Sequence, residues 1–114
     1  MMNSLGDSKV LIVDDKPENR RAVCRVLESI ACVKFIHADS GEDALMQLLN
    51  HKFAVILLDV NMPGMNGYET ARLISSDPDC KDTPIVMVTA IDAGSGEVLK
   101  AYDAGAVDFI SKPI

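Results

Sequence analysis

The stretch AVILLDVNMPG, at positions 54–64, decides the fold. Its first half is an unbroken apolar run, which is typical of a parallel strand that is buried on both faces. Asp59 follows that run directly, and Pro63 and Gly64 then indicate a loop. We therefore predict a strand from Phe53 to Leu58 whose C-terminal end carries a carboxylate.

Outward from this stretch, apolar runs and helical patterns alternate along the chain. Further strands are predicted over 10–13, 33–38, 85–88 and 107–110. Four helices are predicted between the strands, beginning near Pro17, Ser40, Asn66 and Ser95. Alternation of this kind predicts an α/β domain with a parallel sheet and right-handed crossovers.

The length and composition predict one intracellular domain over 1–114, with a short polar tail over 1–8. The net charge of −6 argues against nucleic-acid binding through this segment. The longest apolar run is too short to cross a membrane. The cysteines are odd in number and widely spaced, which favours reduced thiols in the cytoplasm; they are Cys24, Cys32 and Cys80.

The alternating pattern stops at Ile114, directly after the fifth predicted strand. A fifth helix is expected at that point of such a fold and is absent from this chain. Without that helix, part of the sheet face beside the first helix would be bare. We expect either that the chain is a truncated piece or one module of a longer protein, or that a partner, which could be a second copy, covers the apolar strip.

Polar residues follow several of the predicted strands at the edge where open α/β sheets bind ligands. Asp14, Asp15 and Asp59 would come close together there, and a cation would relieve their mutual repulsion. Oxygen ligands suit Mg2+ or Mn2+, and the Asn61 carbonyl could complete the set. Taken alone, Asp14 and Asp15 also have a plainer interpretation, in which their negative charges interact favourably with the dipole at the N-terminus of the following helix.

Asp59 is the candidate nucleophile, because a carboxylate can form an aspartyl phosphate. Lys112 and Thr89 follow the fifth and fourth strands and could bind the phosphoryl oxygens. For each there is a plainer reading: Lys112 as a solvated surface lysine and Thr89 as an ordinary strand residue.

Together these motifs resemble the receiver domains of two-component response regulators. The match runs over nearly the whole chain, from Lys9 to Ile114, and the segments that carry it are 13–15, 58–67, 88–90, 104–109 and 112–114. The resemblance implies a flavodoxin-like, doubly wound sheet of five parallel strands in the order 2-1-3-4-5. It also implies a cytoplasmic signalling switch, with self-phosphorylation and autodephosphorylation as its only intrinsic chemistry.

The same resemblance assigns roles to the candidate residues. Asp59 would accept a phosphoryl group from a phosphohistidine on a sensor histidine kinase or a phosphotransfer protein. Asp15, Asp59 and the Asn61 carbonyl would bind Mg2+ directly, and Asp14 would act through water. Lys112 would contact the phosphoryl group, while Thr89 and Phe109 would switch a surface that an output domain, an effector or a second copy reads.

Three alternatives stay open beside this interpretation. A Mg2+-dependent aspartyl-phosphate phosphohydrolase or phosphotransferase would use similar carboxylates, but Asn61 stands where such enzymes commonly place a second Asp. A receiver that serves only for docking would not need all the pocket residues. A flavodoxin-like cofactor binder would need a phosphate-binding loop where Asp14, Asp15 and Pro17 lie.

Overall fold

The computed structural model describes residues 8–29, 33–89 and 95–111, with the backbone alone at 89, 95, 97 and 111. Its strands are β1 (Lys9–Val13), β2 (Lys34–Ala38), β3 (Val55–Asp59), β4 (Ile85–Thr89) and β5 (Asp108–Ser111). Its helices are α1 (Pro17–Glu28), α2 (Gly41–Asn50), α3 (Gly67–Ser76) and α4 (Ser95–Asp103). Among these described helices, none has the length and apolar character that a membrane span needs.

The five strands form one parallel sheet in the order β2-β1-β3-β4-β5, which confirms the predicted fold. β1 lies between β2 and β3, so the order of the strands reverses beside it. Val13 pairs with Leu58 across β1 and β3. The acidic residues after these two positions therefore reach the same sheet edge, at the crevice where doubly wound folds bind ligands.

The larger part of the core fills the sheet face that α2, α3 and α4 cover. Leu11, Ile56, Leu58, Ile85 and Met87 contribute side chains to it from the sheet and are almost completely buried. Ala44, Ala71 and Ala101 meet them from the three helices. These small residues let the helices approach the sheet closely.

The opposite face carries a smaller core under α1. Val23 and Cys24 of α1 pack there against Ile12 and Leu57. Among the described residues α1 is the sole helix on this face, and Ile110 in β5 is 41% exposed. Among the described residues, this face of the sheet is therefore less completely covered than the face under α2, α3 and α4.

The ends of the elements depart from the predictions at β3. β3 begins two residues later than expected and takes in Asp59. The reason is the register, because Val55 is the residue that pairs with Val10 of β1. Phe53 is nevertheless buried, with its ring centroid 5.9 Å from that of His51.

The predicted helix ends are confirmed by their hydrogen bonds. The Ser40 hydroxyl accepts from the Asp43 backbone N–H, and Asn66 and Glu69 form a full capping box. The Asp43 carboxylate accepts from Asp39 rather than from the backbone of Ser40, so this first cap is only half of a box. Gly105 ends α4 with φ +108°.

Candidate functional site

Strand alternation places Asp14 and Asp59 on one side of the sheet edge. Ile12 and Leu57 both point into the core under α1. Asp14 and Asp59 lie two residues further along the same strand paths, so their side chains leave the sheet on the α1 side as well. The Asp14 N–H donates to the Ala38 carbonyl at 3.1 Å, which continues the ladder to β2 past the end of β1.

Asp15 completes a cluster of three carboxylates with these two residues. Each carboxylate contributes an oxygen, and these oxygens all lie within 4.8 Å of one another. Asp14 and Asp59 are buried and Asp15 is half-buried. The predicted meeting of the three side chains is confirmed. Close, poorly hydrated carboxylates repel one another, so their oxygens fit a hard divalent cation such as Mg2+.

The start of α1 holds Asp14 from a second direction. The Lys16 N–H donates to Oδ1 of Asp14 at 3.0 Å. The Arg20 guanidinium donates to the Asp14 backbone carbonyl. Both the side chain and the main chain of Asp14 therefore have fixed partners.

The loop after β3 is fixed by the start of α3. Gly67 N–H donates to the Val60 carbonyl at 2.9 Å. A Cβ atom at Gly67 would collide with the Asp59 carbonyl and lie 2.8 Å from the Val60 Cα. The absent side chain thus lets α3 begin directly against the backbone of Asp59. Asn61 lies in the loop between them and is exposed.

A small pocket opens beneath the carboxylates on the α1 side. Asp14 and Asp59 form its acidic edge, and apolar residues of β1, β3, β4 and α1 form most of its wall. Asn19, in the first turn of α1, is a further polar residue in this wall. The sequence analysis missed Asn19, because a single Asn in a helix carries no signal without knowledge of what the helix faces.

The remaining predicted residues lie on β4 and β5 or outside the described chain. Thr89 is the last residue of β4 and pairs with Ser111 of β5, one position beyond the pair of Val88 with Asp59. Phe109 is half-buried and packs against the larger core. Lys112 lies outside the described residues.

His37 also has partners that the sequence did not reveal. Nε of Arg20 donates to its Nδ1 at 3.2 Å, and Sγ of Cys24 lies 3.8 Å from its Nε2. His37 is exposed overall, and partial burial, followed by the Arg20 charge, lowers its pKa from the ordinary 6.5. Burial, followed by the Glu28 charge, raises the pKa of Cys24. Neighbouring Arg20 thus links this group to the Asp14 backbone.

Comparison with known proteins identifies a family. The sequence profile described as "Response regulator receiver domain" matches residues 10–114. The chain is 35% identical over 105 residues to the chemotaxis protein CheY of Pseudomonas aeruginosa, covering 92% of this chain and 84% of that protein. It is 36% identical over 113 residues to protein-glutamate methylesterase/protein-glutamine glutaminase 1 of Myxococcus xanthus, covering 98% of this chain but 32% of that protein.

Solved structures share the fold. The structure of the chemotaxis response regulator CheY4 of Vibrio cholerae matches with a TM-score of 0.85 and 31% identity, covering 95% of this chain and 88% of that chain. The Mn2+-bound form of the response regulator Rcp1 matches with a TM-score of 0.79 and 26% identity, covering 93% and 81% of the two chains. Both likenesses therefore extend over more than nine-tenths of this chain.

Proposed function

The chain belongs to the family of response regulator receiver domains, and from this membership we propose that Asp59 is its phosphoacceptor. The single observation that carries the proposal is the clustering of Asp59 with Asp14 and Asp15 at the C-terminal edge of the sheet. Asp59 ends β3, the middle strand of the sheet, and is the contribution of that strand to the cluster. Its side chain also lines the small pocket beneath the cluster, together with that of Asp14.

The proposed reaction is a phosphoryl transfer from a phosphohistidine. One oxygen of the Asp59 carboxylate attacks phosphorus and forms a new O–P bond. The P–N bond of the donor breaks, and its electron pair returns to the imidazole nitrogen. The product is an aspartyl phosphate, which water later hydrolyses in the autodephosphorylation step. The chain thus acts as a signalling switch rather than as a metabolic enzyme.

The donor set fits Mg2+, with Mn2+ as a substitute. We propose that Asp15, Asp59 and the Asn61 carbonyl hold the ion directly, while Asp14 acts through bound water. The Lys16 N–H already occupies Oδ1 of Asp14, which supports the indirect role of Asp14. When bound, the ion would neutralise charge on the transferring phosphoryl oxygens.

Lys112, Thr89 and Phe109 are proposed to read the phosphorylated state. Lys112 would donate to a phosphoryl oxygen, and Thr89 would move toward another. Phe109 would then rotate inward. Its half-buried position beside the larger core supports this role, because such a ring has room for two packings.

We propose the partners of this chain from the same family membership. A sensor histidine kinase or a phosphotransfer protein would supply the phosphoryl group in the cytoplasm, and an output domain, an effector or a second copy would read the switch. The chain spans about a third of the Myxococcus xanthus methylesterase that it matches. That protein's activity is therefore not carried over to this chain.

Intact-mass spectrometry tests the phosphoacceptor. The protein is incubated with Mg2+ and a small acyl phosphate donor, beside Asp59→Asn and the control Asp39→Asn. Asp39 is an exposed acidic residue outside the cluster. We expect one phosphoryl group on the wild type and on Asp39→Asn, and none on Asp59→Asn. Undiminished phosphorylation of Asp59→Asn would refute the assignment.

A further inference from the structure

Arg20 joins three elements around the acidic cluster. It belongs to the first turns of α1, its Nη1 donates to the carbonyl of Asp14 just after β1, and its Nε donates to His37 on β2. Arg20 itself is half-buried. A planar guanidinium with two donors engaged in different directions has little freedom to turn.

The orientation of the Asp14 carbonyl determines where the side chain of Asp15 lies in the cluster. This carbonyl and the N–H of Asp15 belong to one planar peptide unit. A rotation of that unit would swing the Cα of Asp15, and with it one of the three carboxylates. The Ala38 carbonyl accepts from the Asp14 N–H, and the Lys16 N–H donates to Oδ1 of Asp14. The Arg20 hydrogen bond restrains the other backbone polar group of Asp14, its carbonyl.

His37 can hold the guanidinium only through an unprotonated Nδ1. Every N–H of Arg20 is a donor, so Nδ1 must accept, and the proton of the neutral ring is on Nε2. Nε2 faces the Cys24 sulfur at 3.8 Å, a weak acceptor on the buried side of α1. The lowered pKa of His37 favours this neutral form.

The charge of Arg20 should act against a cation in the cluster. A positive guanidinium at the Asp14 backbone lowers the negative potential that the cluster offers to a divalent cation. Loss of the charge alone would therefore tighten metal binding. Loss of the hydrogen bond that fixes the Asp14–Asp15 peptide would weaken metal binding, because the metal would then have to order ligands that are no longer held in position.

We propose that Arg20 is a positioning residue for the acidic cluster: its guanidinium fixes the Asp14–Asp15 peptide, and His37 fixes the guanidinium. The inference rests on the proposed metal site. Through His37, β2 would help to position the residues of that site, although β2 contributes none of the proposed ligands.

Binding of Mn2+ alone, followed by electron paramagnetic resonance of the free ion, tests the proposal on the full chain. Arg20→Gln removes the charge and the guanidinium fork that reaches both partners, whereas Arg20→Lys keeps the charge and loses that planar fork. Arg21→Gln is the matched control, because Arg21 is exposed on the same helix. His37→Leu removes the acceptor, whereas His37→Asn keeps an acceptor near the position of Nδ1.

We expect Arg20→Gln and Arg20→Lys to weaken Mn2+ binding by about tenfold or more, as losses of outer-shell partners do. Arg21→Gln and His37→Asn should bind like the wild type. His37→Leu should weaken binding, yet add nothing in the Arg20→Gln background. The Mg2+ concentration for half-maximal phosphorylation should rise, with a smaller change in the rate at saturating Mg2+. A merely unstable variant would lose rate at every Mg2+ concentration.

Other outcomes overturn the inference. Unchanged or tighter binding by Arg20→Gln, or wild-type binding by Arg20→Lys, would show that placement by Arg20 is not needed. A full additional loss from His37→Leu in the Arg20→Gln background would exclude action through the guanidinium. A wild-type protein that does not bind Mn2+ would refute the proposed metal site itself, and this result is distinct from the variant results.

Discussion

At the scale of single residues, the acidic cluster divides into unequal members. Asp14 is buried and one of its oxygens accepts from the Lys16 N–H, whereas Asp15 is half-buried. An oxygen that is already hydrogen-bonded is a poorer direct ligand, because binding a metal would cost that bond. This difference separates the two neighbours although the sequence presents them as a pair.

We therefore expect Asp15→Ala to weaken Mg2+ binding more than Asp14→Ala does. Isothermal titration with Mg2+ measures both affinities. Asp39→Ala serves as the control for the loss of one acidic charge at a distance from the cluster. Equal losses, or a larger loss in Asp14→Ala, would show that the two roles are exchanged.

His37 gives a pH dependence at the same scale. Its pKa is lowered in the folded protein, by burial first and by Arg20 second, so the unfolded chain binds a proton at a higher pH than the folded one. The stability that depends on neutral His37 is therefore fully present above pH 6.5 and is lost as the pH falls through the lower folded pKa.

Urea denaturation of the wild type and His37→Asn between pH 7.5 and pH 5.5, values chosen to bracket the roughly 6.5 pKa of a free His, measures this contribution. The wild type should lose stability on acidification by more than the variant does. The difference between them removes the common contribution of the carboxylates. An equal loss of stability in the two proteins would mean that His37 binds its proton equally well in the folded and the unfolded state.

At the scale of elements, the contact between β3 and α3 holds the backbone of Asp59, the proposed phosphoacceptor, in place. Gly67 is the first residue of α3 and has no room for a Cβ atom against Asp59 and Val60. Gly96, in the first turn of α4, has open space at the same atom. The two glycines thus offer the same substitution in opposite surroundings.

We expect Gly67→Ala to lower the free energy of unfolding by about 1–3 kcal/mol, the usual cost of overpacking. It should also slow phosphorylation of Asp59, whose backbone would have to shift. Gly96→Ala should leave phosphorylation unchanged and raise stability by up to about 1 kcal/mol. Urea denaturation and the mass assay test both. Wild-type stability and phosphorylation in Gly67→Ala would show that α3 can shift away from β3 without moving Asp59.

At the scale of the whole molecule, the two faces of the sheet are unequally covered. Three helices pack on one face and α1 on the other, among the described residues. Ile56 is fully buried in the larger core, whereas Val86 on β4 is half-buried in the smaller one. Stability should therefore depend mainly on the first face.

We expect Ile56→Ala to lower the free energy of unfolding by about 2–5 kcal/mol, as truncations in a closed core do. Val86→Ala should cost clearly less, because its side chain already meets water and leaves a smaller cavity. Urea denaturation at one protein concentration compares the two. Equal costs would mean that the α1 face is covered in solution, and a concentration series would then reveal whether a second copy covers it.

The sequence by itself determined the alternation of strands and helices, the parallel sheet and the acidic residues at its edge. These features are local: apolar runs, caps such as Asn66 with Glu69, and Asp59 at the end of its strand can each be recognised within a few positions of the sequence. Membership of a family added the expected strand order. The two ends of β3 were misplaced because pairing register, rather than apolar content, sets where a strand begins.

Only the tertiary structure decided which distant residues meet. Arg20 and His37 are 17 positions apart, and nothing in either segment indicates that one holds the other. The closeness of Gly67 to Asp59 and the place of Asn19 in the pocket wall are likewise products of how the elements pack. The physical reason is that such contacts depend on the relative placement of whole elements, which the buried core fixes jointly and no short stretch of sequence encodes.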